Sequence, residues 1–241
     1  MRSSQYKSAP CAKRLRREIS NTSENGSHDH KNHDSDDDDE NPAIALMKER
    51  ETVSMEDNHI YFRADVTEKS VSKLIKLIHQ INRDFTTLRS SMPIAKIECV
   101  PVFLHITSMG GNCMMGYLAA DIIKTSQVPI YTIIEGYAFS AATHFSVVGQ
   151  RRFITESSVM LIHQLSSYGG GGTYEKVKDD AQNNELLMVR MKKLYLGHTN
   201  GKMKKSELDK LLSKDIFLDA HECVRLGLVD EIYTGEHNIK A

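Results

Sequence analysis

Two side chains in this chain could together carry out acyl transfer, those of Ser140 and His163. Ser140 lies in the segment Glu-Gly-Tyr-Ala-Phe-Ser-Ala-Ala, and His163 lies further along in Val-Met-Leu-Ile-His-Gln. A serine hydroxyl is a weak nucleophile unless a base accepts its proton, and imidazole does so near neutral pH. The pair therefore points to chemistry in which a serine attacks a carbonyl carbon.

The residues before Ser140 predict a strand that turns into a helix at the serine. Residues 130–134 are Ile-Tyr-Thr-Ile-Ile, a buried-strand pattern, and small residues follow Gly136. A helix beginning near Ser140 would direct free backbone N–H groups and its positive dipole end toward the negative charge on an attacked carbonyl oxygen. A serine that only caps a helix has the same local pattern, so this interpretation depends on partners elsewhere.

Strand and helix patterns alternate along the rest of the chain. Predicted strands cover residues 59–62, 102–106, 130–134 and 159–163, and predicted helices cover residues 71–81, 112–126, 174–197 and 206–212, before a last helix-strand pair that ends at Ile232. This alternation predicts an α/β fold of repeated β-α units with a mostly parallel sheet.

Three candidate groups fall at the carboxyl ends of predicted strands. The segment Ser-Met-Gly-Gly at 108–111 ends one strand, Ser140 ends the next and His163 ends a third. The N–H groups of paired glycines can approach a ligand oxygen, although such a pair also makes ordinary turns, and a lone histidine can simply belong to the core. Because catalytic groups collect at this edge of parallel sheets, their coincidence favours one active site.

The first 55 residues differ in composition from the remainder. A basic run at 13–17 is followed by an almost wholly acidic run at 34–40. Such segments bury too little apolar surface to fold, so we expect residues 1–55 to be a disordered tail and linker and residues 56–241 to form one folded domain. We assign the tail no specific nucleic-acid site and no metal site, although three histidines at 28, 30 and 33 lie beside its aspartates.

Composition also bears on the cellular compartment. The chain has 241 residues and a formal net charge of −1, with no apolar run of membrane-spanning length and no secretory signal, so we expect no membrane partner. Its four cysteines include no Cys-x-x-Cys pair, which predicts reduced thiols and a cytoplasmic location. An organellar transit peptide is the alternative, because the first twenty residues contain arginines and serines and no acidic residue before Glu18.

Four segments, taken together in their order and spacing, resemble the proteolytic subunit of the Clp protease, the ClpP family. They are Ile-Thr-Ser-Met-Gly-Gly at 106–111, Glu-Gly-Tyr-Ala-Phe-Ser-Ala at 135–141, Val-Met-Leu-Ile-His-Gln at 159–164, and Asp-Ile-Phe-Leu-Asp-Ala-His-Glu at 215–222 with Gly-Leu-Val-Asp at 227–230. On this basis the folded part is identified as a ClpP-like serine peptidase domain with a ClpP/crotonase-like fold.

The resemblance implies a role for five residues. Ser140 would be the nucleophile, His163 the general base and then acid, and Asp215 the group that orients His163. The backbone N–H groups of Gly111 and Ala141 would form the oxyanion hole. The implied activity is that of a serine endopeptidase that cleaves peptide bonds through an acyl-enzyme.

The resemblance also implies partners. Members of the family form stacked homo-oligomeric rings, commonly heptamers, and receive unfolded polypeptides from a Clp-type ATPase. ATP would then be used by the partner ATPase, and the subunit itself would need no cofactor.

The sequence departs from the family pattern close to the nucleophile. Phe139 stands where the family has alanine, Ala141 replaces methionine and Met109 replaces proline. We expect the first two changes to alter the shape of the substrate pocket. The backbone donors of the oxyanion hole do not depend on these side chains.

Two other functions fit parts of the pattern. One is a catalytically silent ClpP-like subunit that serves as a structural part of a ring. The other is an acyl-CoA enzyme of the crotonase type, which shares the repeated strand-helix plan and a backbone oxyanion hole. Such an enzyme would not need Ser140, His163 and Asp215 together.

Overall fold

The computed structural model describes residues 52–91, 99–166 and 171–235. In chain order its elements are β1 (Thr52–Glu56), β2 (His59–Arg63), α1 (Glu68–Ser91), β3 (Val102–Ser108), α2 (Cys113–Lys124), β4 (Ile130–Phe139), α3 (Ala141–Ser146), β5 (Arg151–Ile154), β6 (Val159–Leu161), α4 (Tyr174–His198), α5 (Lys205–Leu212), α6 (Ala220–Leu226) and β7 (Glu231–Ile232).

The strands form one sheet in the order β1-β2-β3-β4-β5-β7, with β6 paired to β4. Only the β1–β2 pairing is antiparallel among these strands, and the other pairings are parallel. This arrangement confirms the predicted α/β fold with a mostly parallel sheet. The parallel strands direct their carboxyl ends, and the loops after them, to one edge of the sheet.

The longest strand, β4, changes partner along its length. Residues 131–134 pair with β5, whereas residues 137–139 pair with β6. On its other side β4 pairs with β3 at residues 130–134 and again at Ala138, with a register shift between Ile106 and Ser108. The change of partner brings β6, and the residues that follow β6, directly beside the end of β4.

The structure corrects several predicted boundaries. Strand β1 begins at Thr52, inside the segment that we expected to be a linker, because Val53 is buried and pairs with Phe62. The rest of the expected tail, residues 1–51, lies outside the described residues. Strand β4 extends to Phe139 instead of ending at 134, and β5 was not predicted. Strand β6 ends at Leu161, so His163 lies just beyond it.

The main core lies between the sheet and the helices on one of its faces. Its buried apolar side chains include Ile60, Phe62, Leu104, Ile106 and Ile134 from the strands and Val71, Leu74 and Ile78 from α1. Each such side chain contributes about 1.5–3 kcal/mol by leaving water. A smaller cluster of Phe103, Ile133 and Phe153 forms where alternate residues of the same strands face the other way. Neighbouring residues of β4, Ile133 and Ile134, belong to the two clusters, so packing holds this strand from both faces there.

Candidate active site

Ser140 lies at the sharp turn between β4 and α3. Its backbone has φ 53° and ψ −124°, a positive φ that non-glycine residues rarely adopt and that costs about 1–3 kcal/mol. The N–H of Ser140 donates to the carbonyl oxygen of Leu161 at 2.8 Å, which anchors the turn to β6. The Ser140 side chain makes no capping hydrogen bond to α3, so helix capping does not explain the serine.

His163 reaches the same place from β6. Because Phe139 pairs with Leu161, the two residues that follow Leu161 continue past the Ser140 turn. The N–H of Gln164 donates to the carbonyl oxygen of Leu212 at 2.8 Å, which fixes the chain immediately after His163. The structure therefore brings His163 and Ser140 together at the wall of one cavity of about 240 Å³.

Asp215 lies behind His163, and backbone pairing explains why. Met160 and Leu218 form an antiparallel bridge, with N–H to oxygen distances of 2.9 and 2.8 Å. His163 is three residues after the bridge on one segment, and Asp215 is three residues before it on the other. The Asp215 Oδ1 atom lies 3.5 Å from Nδ1 of His163, with 45% of the aspartate side chain exposed and 20% of the histidine.

The neighbouring aspartates have other partners. Asp209 pairs with Lys192, Asp219 accepts from the N–H of Glu222 at the start of α6, and Asp230 pairs with Arg152. Asp215 is thus the aspartate of this region that the structure brings to His163.

The glycine turn after β3 packs against the serine turn. Gly110 and Gly111 have φ values of 90° and 143°. The Val66 N–H donates to the Gly110 carbonyl and the Asn112 N–H donates to the Val66 carbonyl, both at 2.8 Å, which holds the turn on its outer side. Gly111 lines the cavity. The side chain of Asn112 then accepts from the first N–H groups of α2 and so starts that helix.

Two backbone N–H groups at the cavity are free to bind a ligand oxygen. Gly111 and Ala141 both line the cavity beside Ser140. Within the described part of the chain, neither N–H group has a hydrogen-bond acceptor. For Ala141 this follows from its place as the first residue of α3, where no preceding helical carbonyl exists. Such a pair can stabilise an oxyanion.

The electrostatic environment keeps His163 neutral. Partial burial lowers the pKa of its imidazole below the ordinary value of 6.5, and the Asp215 carboxylate opposes part of this change. A neutral imidazole at pH 7 has a free ring nitrogen that can accept a proton. Because Nδ1 faces Asp215, Nε2 is the nitrogen left for that role.

One residue of the cavity wall, His144, was not singled out from the sequence. It is almost wholly buried, stacks on Tyr117 with ring centroids 4.6 Å apart, and its Nδ1 atom has no hydrogen-bond partner among the described residues. Burial lowers the pKa of His144 to about 4. The available signal was its spacing, because a residue four after Ser140 lies one helical turn further on the same face.

The two departures nearest Ser140 have different outcomes. Ala141 lines the cavity, as expected. Phe139 is not among the described residues that line this cavity, and its expected effect on the substrate pocket stays a prediction. As the last residue of β4, Phe139 instead packs its ring on Phe217.

The described residues provide neither a metal cluster nor a membrane span. In the ranges 52–91, 99–166 and 171–235, no group of three or more His, Cys, Asp or Glu side chains could hold a metal ion. No helix in the same ranges is long and apolar enough to cross a membrane. The three histidines of the tail lie outside the described residues. The described cysteines, Cys99, Cys113 and Cys223, are free thiols.

Comparison with known proteins matches the part of the chain that builds this cavity. A family model described as Clp protease covers residues 55–236. The ATP-dependent Clp protease proteolytic subunit 1 of Chlamydia pneumoniae is 29% identical over 182 residues, which cover 74% of this chain and 87% of the relative. Proteolytic subunit 2 of Treponema denticola is 32% identical over 141 residues, which cover 58% of this chain and 69% of the relative.

A third relative comes from Streptococcus mutans. Its ATP-dependent Clp protease proteolytic subunit is 33% identical over 135 residues, which cover 54% of this chain and 67% of the relative. The matched region includes every strand from β2 to β7 and all of the cavity residues described above. The chain therefore belongs to the Clp protease family of proteolytic subunits.

Proposed function

We propose that this Clp protease subunit is a serine-type endopeptidase that forms an acyl-enzyme with Ser140. The observation that carries the proposal is the cavity of about 240 Å³ that Ser140 and His163 both line. The Asp215 carboxylate lies behind His163, with its Oδ1 atom 3.5 Å from Nδ1. The base thus lies between the nucleophile and the carboxylate that orients it, which is the spatial arrangement that covalent catalysis by a serine requires.

In the proposed reaction, the Ser140 hydroxyl oxygen attacks the carbonyl carbon of a peptide bond. Nε2 of His163 accepts the hydroxyl proton and then donates it to the leaving amine, so the C–N bond breaks and an ester to Ser140 remains. Water, deprotonated by the same nitrogen, hydrolyses the ester and restores the serine. Asp215 stabilises the imidazolium that forms in each half of the cycle.

The negative charge on the attacked oxygen would be bound by the N–H groups of Gly111 and Ala141. Their lack of acceptors within the described residues supports this role. The loss of one such donor typically raises the barrier by about 2.7–4 kcal/mol.

A second candidate is a catalytically silent subunit. Among the described residues no hydrogen bond joins the Ser140 hydroxyl to His163, and the 3.5 Å contact of His163 with Asp215 is long for a hydrogen bond. A substrate that closes the site would shorten both contacts in an active enzyme. In a silent subunit, both contacts would stay too long for hydrogen bonds.

The test is hydrolysis of a short fluorogenic peptide, together with fluorophosphonate labelling of the assembled protein. We expect labelling and hydrolysis in the unaltered protein and neither in Ser140→Ala. Ser166→Ala is the matched control, because Ser166 lines the same cavity and should retain both activities.

Other outcomes would reject the proposal. Absence of labelling, with or without a Clp-type ATPase, would favour the silent subunit. Labelling that persists in Ser140→Ala would mean that another residue is the nucleophile. Turnover of an acyl-CoA thioester that does not depend on Ser140 would favour the crotonase-type alternative.

We further propose that the subunit acts within a homo-oligomeric ring on unfolded polypeptides delivered by a Clp-type ATPase. The relatives are named proteolytic subunits of an ATP-dependent protease, which supports an assembly with a separate ATPase. Degradation of a folded substrate should then require both the ATPase and ATP, whereas short peptides should not. Degradation of a folded protein by the subunit alone would contradict this proposal.

The remaining expectations stay predictions. They are the absence of a cofactor in the subunit, the heptameric ring, the disorder of the tail up to residue 51 and the cytoplasmic location. Detection of the protein in an organelle by cell fractionation would reject the last of these.

A further inference from the structure

Two aromatic rings connect the segments that carry Ser140 and Asp215. Phe139 immediately precedes Ser140, and Phe217 is two residues after Asp215. Their rings are stacked, with centroids 5.0 Å apart and an interplanar angle of 14°. Tyr137 packs on the same ring of Phe139, with centroids 5.2 Å apart. Phe139 is 9% exposed and Phe217 is 47% exposed.

The Asp215 segment has little else to hold it. It lies between the end of α5 and the backbone bridge at Leu218, and it contains neither helix nor strand. Across the described residues, the backbone groups of Asp215, Ile216 and Phe217 make no hydrogen bond. The position of the Asp215 carboxylate therefore depends on side-chain contacts, and the ring of Phe217 makes one directly.

The stack completes a set of three links around the site. Pairing of β4 with β6 links Ser140 to His163, and the Met160–Leu218 bridge links the His163 strand to the Asp215 segment. The stack joins the end of β4 to the Asp215 segment directly, without passing through β6. With all three links present, none of the three segments can move independently of the other two.

We propose that Phe139 and Phe217 are positioning residues, and that their stack holds the Asp215 carboxylate against His163. The inference rests on the proposed function, since it concerns the group that orients the base. It also gives a reason for the large side chain beside the nucleophile, because the ring of Phe139 would support the Asp215 segment. Neither ring is among those that line the cavity of Ser140 and His163.

The principal test is Phe217→Ala, because Phe217 is half exposed and its removal leaves no buried void. We expect the Asp215 segment to loosen, so that the carboxylate no longer raises the pKa of His163, and that pKa falls. We also expect kcat to fall about 10-fold, a part of the 10²–10⁴-fold that acid–base catalysis supplies, with KM little changed.

Three further variants separate positioning from general destabilisation. Ile216→Ala is the matched control, since Ile216 is similarly exposed in the same segment and makes no ring contact with Phe139. Phe217→Tyr keeps the ring, so its kcat and the pKa of its His163 should match those of the unaltered protein. Phe217→Leu keeps apolar bulk without a ring. In this variant the pKa of His163 should lie between its values in Phe217→Ala and Phe217→Tyr.

The decisive measurement is an NMR titration of the His163 imidazole in the Ser140→Ala background, with His163→Gln to assign the signal. This readout needs no peptidase activity, so it distinguishes failure of the stack from failure of the proposed function. An unchanged His163 pKa in Phe217→Ala would overturn the proposal, even if the melting temperature fell. An equal shift in Ile216→Ala would also overturn it.

Discussion

Asp215 faces His163 because the bridge between Met160 and Leu218 sets two short segments antiparallel. Three residues in each direction from that bridge, the carboxylate and the imidazole are opposite each other. A shift of one residue would direct the neighbouring side chain toward His163 instead. The identity of the orienting acid is thus a property of backbone register as well as of residue type.

The first prediction concerns Asp215→Asn. An amide at this position cannot stabilise the imidazolium, and without the carboxylate the pKa of His163 should fall further below 6.5. We expect a folded protein whose peptide turnover is lower by about 10²–10⁴-fold. Asp209→Asn removes the same charge from a residue that pairs with Lys192, and it should leave turnover unchanged. Equal activities of the two variants would contradict the assignment.

The second prediction concerns pH and His144. Burial lowers the pKa of this imidazole from 6.5 to about 4 in the folded protein, so between these values the unfolded chain binds one more proton. The free energy of unfolding should therefore decrease as the pH falls through this window. We expect the titration of His144 to lower the free energy of unfolding by about 2 kcal/mol between pH 7 and pH 5, at about 1.4 kcal/mol per pH unit below 6.5.

His144→Phe tests this dependence, because phenylalanine can keep the stacking on Tyr117 and has no titratable group. Urea unfolding at pH 7 and pH 5 should show a smaller loss of stability in the variant than in the unaltered protein. An equal loss in both proteins would mean that other groups dominate the acid sensitivity.

At the scale of elements, β4 combines two tasks in one strand. Its first half pairs with β5 and stabilises the sheet, and its last three residues pair with β6 and position the site. Gly136 lies between these two halves with a positive φ of 75°. The change of partner puts Ser140 and His163 side by side, although their strands are not consecutive in the chain.

The third prediction concerns the turn between β3 and α2. A methyl group at Gly110 would lie 2.5 Å from the carbonyl oxygen of Phe139 and 2.8 Å from Cβ of Ser140. Gly110→Ala should therefore separate the two turns, with a loss of stability of about 1–3 kcal/mol and a large loss of activity. Thermal unfolding and peptide hydrolysis measure the two effects.

Gly197→Ala is the matched control for that prediction. Gly197 lies within α4, where an added methyl group meets no atom within 4 Å. Alanine is favoured over glycine inside a helix, so this variant should be as stable as the unaltered protein or more stable by up to about 1 kcal/mol. A Gly110→Ala variant with full activity would show that the two turns need not pack closely.

At the scale of the whole molecule, α4 carries apolar side chains that the described residues do not cover. Leu186 and Val189 are about half exposed and lie three residues apart, on one side of the helix. The opposite side of α4 buries Met191 and Tyr195 in the core. A helix that is apolar on two sides is expected where a second copy of the chain packs against it.

The fourth prediction is that charges on the exposed side of α4 disrupt the assembly. Leu186→Asp combined with Val189→Asp should reduce the particle size in sedimentation velocity and leave the circular dichroism spectrum unchanged. Leu88→Asp is the control, because Leu88 is similarly exposed on α1. An unchanged particle size in the double variant would mean that this side of α4 is not the contact between copies.

Much of this architecture could be predicted from the sequence because local patterns report local structure. The apolar runs predicted β2, β3 and β4, and helical periodicity predicted α1, α2 and α4. Strands β1 and β5 could not be predicted, because their short polar sequences are strands only through pairing with β2, β4 and β7. The ring contacts of His144 with Tyr117 and of Phe217 with Phe139 could not be predicted either, because they join residues that are distant in the chain.

The residue types of the site, the repeated strand-helix order and the family can all be inferred from the amino-acid sequence. The contact of Asp215 with His163 and the stacking of Phe139 on Phe217 become visible only in the folded chain. The physical reason is the distance along the chain over which each interaction acts. Propensity and periodicity act over a few residues, whereas register between distant segments depends on hydrogen bonds and packing that form only in the folded chain.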